Sequence, residues 1–122
     1  MNQASVERRR GRRVGIEAPL VIRRLSGSDT APREETTKNI SLAGVYFEAE
    51  QEPAFSVGEV VTASVSIPPA QTRTFPFTRL TGRSQVVRVL ELPREAREGQ
   101  GTRYGVALEF GDDVIALAAL PH

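Results

Sequence analysis

The chain has no cysteine and no tryptophan, and only one histidine, in 122 residues. Without cysteine, disulfides and thiolate metal sites are excluded, and nothing points to an oxidising compartment. The single histidine is His122, at the end of the chain. Ser41 therefore has no candidate base, and no metal-ligand spacing is present. Acidic pairs such as Glu34–Glu35 and Asp112–Asp113 read as solvated charges, the second also as cap residues. An enzyme is not expected. No apolar run approaches the roughly 18 residues of a membrane span. The N-terminal stretch is charged with no apolar stretch behind it, so a secretory signal is not expected either and the expected location is cytoplasmic.

Aromatics are few as well, five Phe and two Tyr. An apolar fraction of 39% is enough for one small sandwich or barrel filled mainly by Val, Leu, Ile and Ala. Formal net charge is only +1, but it is unevenly spread. Residues 7–13 (ERRRGRR) hold five Arg and one Glu, a local +4, which leaves −3 for the rest. A local positive charge points to a local anionic partner.

Along the chain, residues 1–13 have no apolar face and read as a flexible Arg-rich arm that orders on binding. In residues 14–25, Ile16, Ala18, Leu20 and Ile22 alternate with Glu17, Pro19, Val21 and Arg23, a strand with one buried face. Pro19 suits a strand start or an edge. A polar, weakly patterned strand over 34–40 is followed by a tight turn and a clear strand in which Val45, Phe47 and Ala49 share a face. Residues 59–67, 80–91 and 102–110 complete about six strands, with Gly82 marking a bend or bulge. Residues 70–78 read as an irregular connection. In the last strand Tyr104, Val106, Leu108 and Phe110 are expected to face the core. The tail 112–122 reads as a short helix capped by Asp112 or Asp113, with Val114, Leu117 and Ala118 on one face. The division is thus arm 1–13, β domain 14–111 and tail 112–122. Pattern alone supports an antiparallel barrel or sandwich and does not choose between them.

Two motifs carry chemistry. In the arm stand Arg8, Arg9, Arg10, Arg12 and Arg13. The planar guanidinium fork pairs bidentately with phosphate, reads the O6 and N7 acceptors of guanine and stacks on bases. In isolation a run of Arg is more often a solvated tail or a nonspecific nucleic-acid patch. The second motif is Asn39-Ile40-Ser41-Leu42-Ala43-Gly44. Asn and Ser supply short hydrogen-bonding groups, Ile40 points into the core, and Gly44 permits positive φ or a close approach. In isolation it is an ordinary β-turn.

Together the two motifs resemble the PilZ domain family. The stretch ERRRGRRVGIEAPLVIRRL resembles that family's Arg-rich switch loop and first strand, with Arg8 preceding an RxxxR pair, Arg9 and Arg13. Arg8–Arg12 fits the spacing equally. Arg9–Arg13 is preferred because Arg13 abuts the strand, which leaves Arg10 and Arg12 as further candidates. TKNISLAGVYFEAE resembles the (Asp/Asn)-x-Ser-x-x-Gly signature, with Asn39, Ser41 and Gly44 in the named positions. RYGVALEF resembles the family's late strand. The chain departs from the family pattern at Gly11, where a bulkier residue is frequent, and at Ala43, where Gly is frequent.

The resemblance implies an all-β, six-stranded antiparallel β-barrel of split-barrel type that binds cyclic di-GMP, with no cofactor. Arg9 and Arg13 would clamp phosphates and guanines, Asn39 and Ser41 would hydrogen-bond a guanine, and Gly44 would permit the turn. Arg8 resembles members that take the ligand as an intercalated dimer. The implied role is a second-messenger receptor that changes conformation to regulate an unknown protein partner, by association in motility, biofilm or secretion control, with no DNA partner. Two other readings stay open. One is a small nucleic-acid-binding barrel with a basic arm, for which Tyr46 is the one obvious exposed aromatic. The other is a PilZ-like adaptor working through protein contacts alone.

Overall fold

The computed structural model describes residues 13–25, 31–49, 56–93 and 103–118. Seven strands lie among them: β1 (Pro19–Arg24), β2 (Arg33–Ile40), β3 (Gly44–Ala49), β4 (Val60–Ser66), β5 (Phe77–Leu92), β6 (Arg103–Phe110) and β7 (Ile115–Ala118). β1 pairs with β2, β2 with β3, β3 with β6, β6 with β5, β5 with β4, and β4 returns to β1, all antiparallel. Six strands therefore close into a barrel, which among the described residues leaves an edge only where the first part of β5 runs on beyond the end of β6. Antiparallel pairing of chain neighbours needs only short connections, which suits a chain of this length.

The period-2 alternation seen in the sequence sorts residues between lumen and solvent. Ile16, Ala18, Leu20 and Ile22 are buried at the arm's exit, as are Val45 and Phe47 of β3 and Val61, Ala63 and Val65 of β4. Burying each large apolar side chain is worth about 1.5–3 kcal/mol, so the interior rather than any polar contact holds the barrel together. β6 follows the expected alternation at Val106, Leu108 and Phe110, all buried, whereas Tyr104 is only half-buried.

Three bulges interrupt the alternation, one of them between Phe77 and Arg79 where β5 pairs with β7. In β2, Thr37 pairs with Phe47 but Asn39 pairs with Tyr46, so an extra residue stands between them. Thr37 and Ile40 both face the core, and Lys38 and Asn39 both face outward. In β5, Val86 pairs with Leu108 and Arg88 with Ala107. Val86 is buried, Val87 and Arg88 are exposed, and Val89 returns to pack on the core.

Three expectations are corrected. β5 begins at Phe77, so the connection over 70–78 shrinks to a short 3-10 turn at Pro69–Gln71 and the loop after it. Phe75 in that loop is buried, with its ring 5.1 Å from that of Phe77. Gly82 marks no bulge, since β4 and β5 pair without interruption through Ala63 and Gly82. It is small because the chain crosses above it: a Cβ there would stand 2.7 Å from Val114 Cα.

The third correction is the C-terminal helix. Residues Ile115–Ala118 form β7, antiparallel to the first part of β5 with Arg79 opposite Leu117 and Thr81 opposite Ile115. A helix of about two turns is marginal on its own because its nucleation is costly. The outer edge of β5 beyond β6 offers backbone partners instead. Asp113 does not cap a helix. Its carboxylate accepts from Arg83 N at 3.3 Å and from Arg83 Nε at 3.2 Å, which fastens the crossing.

Candidate functional site

Among the described residues, one isolated backbone bridge ties the end of the arm to the barrel. Val14 N donates to Ile40 O at 2.8 Å, and Ile40 N donates to Val14 O at 2.9 Å. The pairing is antiparallel, so Arg13 runs alongside Ser41 and Gly15 alongside Asn39. Thr37 secures the same segment from below. It is fully buried, its hydroxyl donates to Ile16 O at 2.7 Å, and it accepts from Ala18 N at 3.0 Å. Thr37 N also donates to Ala18 O at 3.0 Å. Two backbone groups that the β1–β2 ladder leaves unpaired are thereby satisfied, as buried polar groups must be.

Between β2 and β3 the chain reverses through Leu42 and Ala43. Ser41 N donates to Gly44 O at 2.9 Å, closing the hairpin. Ser41 is buried, and its Oγ accepts from Ala43 N at 3.0 Å and Gly44 N at 3.3 Å. Both bonds use the oxygen as acceptor, so neither engages the hydroxyl proton. Ala43 O accepts from Phe110 N at 2.7 Å, tying the loop to β6.

Gly44 is needed for a close approach rather than for positive φ. Among the described residues only Gly58 has a positive φ. A Cβ on Gly44 would collide with Leu108 O. Close strand packing against β6 therefore demands the glycine.

Asn39 is half-buried and turned outward by the bulge, with no side-chain hydrogen bond to the described residues. Its amide has two donors and an acceptor to offer a ligand. Its cross-strand neighbour is Tyr46. The Tyr46 ring lies over Gly105, where a Cβ would collide with the phenol oxygen. The phenol donates to Glu48 Oε2 at 3.5 Å, and Arg103 Nη2 donates to Glu48 Oε1 at 2.5 Å. Partial burial and then the Glu48 charge push the Tyr46 pKa up, so the ring stays neutral and a donor at physiological pH.

Of the sequence-derived candidates, Arg13, Asn39, Ser41 and Gly44 come together at this corner. Arg8, Arg9, Arg10 and Arg12 lie outside the described residues. Arg13 is exposed. Thr37 was not among the candidates, because a polar strand gives no alternation to mark which threonine faces inward. Tyr46, expected as an exposed aromatic, is half-buried. Among the described residues no group of three or more His, Asp or Glu is placed to hold a metal, and no helix is long and apolar enough to cross a membrane.

No curated protein matches the chain. Among solved structures it is similar to one described as the PilZ domain with c-di-GMP of YcgR from Escherichia coli, with a TM-score of 0.61. Identity is 16%, over 86% of this chain and 79% of that one, a likeness of fold. The PilZ domain family model matches residues 7–119, which takes in the Arg-rich arm, the Asn39–Gly44 turn and every strand described above, so the chain belongs to the PilZ domain family.

Proposed function

We propose that this PilZ domain is a receptor for cyclic di-GMP, held between the Arg-rich arm and the Asn39–Gly44 corner. The observation that carries the reading is the Val14–Ile40 bridge, which seats the arm's last arginine beside the signature turn. The solved structure of similar fold is a PilZ domain with c-di-GMP. The ligand has two phosphodiesters and two guanines. Arg9 and Arg13 supply forks for phosphate and for guanine O6 and N7, with Arg8, Arg10 and Arg12 adjoining. Asn39 hydrogen-bonds a guanine edge from the barrel surface, and the free Ser41 proton adds a donor beneath it. Gly44 acts indirectly, by letting the turn pack on β6.

Ordering the arm costs conformational entropy, and the charge-assisted bonds must exceed that cost. The arm in its bound form presents a new surface to a protein partner, which turns binding into a signal. Arg8, next to the RxxxR pair, favours two stacked ligands per domain. Calorimetry with cyclic di-GMP, with GTP and GMP as controls, tests the reading. It is expected to show selective binding at two ligands per chain. A clean one-to-one endpoint rejects the stacked dimer, and no heat at all rejects the receptor.

A further inference from the structure

Two of the three bulges, those at Thr37–Asn39 and Val86–Arg88, act on one row of outward side chains. Asn39 pairs with Tyr46, Tyr46 with Ala107, and Ala107 with Arg88, across β2, β3, β6 and β5. Without the β2 bulge Asn39 would share the inward parity of Thr37. Without the β5 bulge Arg88 would share the inward parity of Leu80, Ser84 and Val86. A bulge breaks a ladder and commonly serves to re-aim a side chain at a functional surface. Here two of them aim a polar group at each end of the same row.

We propose that Arg88 and Tyr46 extend the corner into a guanine-reading subsite, with Tyr46 as the platform and the Arg88 fork on the base's O6 and N7. The proposal rests on the cyclic di-GMP reading and deepens it. Around the closed barrel Asn39 on β2 and Arg88 on β5 stand half a circuit apart, so the subsite is built from Tyr46 and Arg88, which two interstrand steps of about 4.8 Å set roughly 10 Å apart along the sheet. Tyr46 stands next to Asn39 and lies over Gly105. Ala107, with only a methyl group, leaves the floor between Tyr46 and Arg88 low. Arg24, Arg33, Arg83 and Arg103 are held by Glu59, Glu35, Asp113 and Glu48. Arg88 is exposed and has no such partner among the described residues. Arg103 pairs with Glu48 on one side of the row, while the exposed Glu109, two residues from Ala107 on the same outward face of β6, flanks the other. A neutral Tyr46 stacks on a base irrespective of sequence, and the Arg fork supplies the choice of guanine.

The test is a cycle of two proteins and two ligands, the wild-type chain and Arg88→Ala against cyclic di-GMP and its 7-deazaguanine analogue, which lacks N7. Wild type should prefer cyclic di-GMP. Arg88→Ala should bind it about tenfold or more weakly, lose most of that preference and melt at the wild-type temperature. Arg88→Lys keeps the charge without the fork and should lose the same preference. Equal weakening of both ligands in Arg88→Ala would mean charge attraction alone and overturn base reading. Wild-type binding in Arg88→Ala, while Arg13→Ala weakens, overturns the subsite and leaves the receptor reading standing. Failure of the wild type to bind cyclic di-GMP overturns both.

Discussion

The inner and outer halves of the Asn39–Gly44 corner use similar residue types for opposite purposes. Inside, Gly44 and Thr37 are consumed by the fold, Gly44 by admitting β6 and Thr37 by bonding the segment that leaves the arm, while Ser41 spends its oxygen on closing the turn and keeps only its proton for the ligand. Outside, Arg13 and Asn39 make no side-chain bond to the described residues and face solvent at least in part. A motif that reads as one functional string is thus part masonry and part recognition. Substitutions should separate the two, with stability reporting on the inner set and affinity on the outer.

The largest effect is expected at Gly44. A Cβ there meets the Leu108 carbonyl and has only backbone to displace. Gly44→Ala should destabilise by about 3 kcal/mol or more, seen in a denaturant melt, and binding should fall with the fold. A near-normal melt would mean that β3 and β6 separate easily and would erase the contrast. Next comes Thr37→Val, which keeps shape but strips Ile16 O and Ala18 N of their partner. A cost of about 2–3 kcal/mol is expected, with faster amide exchange at Ala18. On the outer side, Arg13→Ala should leave the melt unchanged and weaken cyclic di-GMP binding by about 1.5–3 kcal/mol. Asn39→Ala should do the same by about 1 kcal/mol. If either destabilises the barrel as Thr37→Val does, the division into inner and outer sets is wrong.

Much of this was legible in the letters. Alternation placed Ile16 through Ile22, β3, β4 and β6 because each buries one face and a period of two records it. The Asn39, Ser41 and Gly44 positions were legible as a motif. The bulges were not, since Lys38-Asn39 and Val87-Arg88 differ from ordinary alternation by one residue whose effect depends on the partner strand. The tail was misread for a related reason. Val114, Leu117 and Ala118 fit a helical face, but the open edge of β5 and the Asp113–Arg83 contact are tertiary facts, and backbone pairing outweighed a marginal local preference. The reason for Gly44 was likewise hidden, because a glycine in sequence does not say whether it serves a turn angle or a neighbouring carbonyl.

The smallest effect concerns Tyr46, which stands between the two sets, its ring resting on Gly105 and its hydroxyl on Glu48. Burial and the adjacent carboxylate hold its proton more tightly in the folded chain than the ordinary value of 10.0. The sign follows from linkage. A raised native pKa contributes stability that is complete below the unfolded value and is lost as pH climbs through the native one. Wild-type stability should therefore decline above about pH 10. Tyr46→Phe removes the titrating group and should flatten that part of the decline, measured as melting temperature against pH in both proteins. If the two curves run parallel above about pH 10, neither burial nor Glu48 holds the Tyr46 proton, and the ring belongs with the solvent-facing residues rather than between the sets.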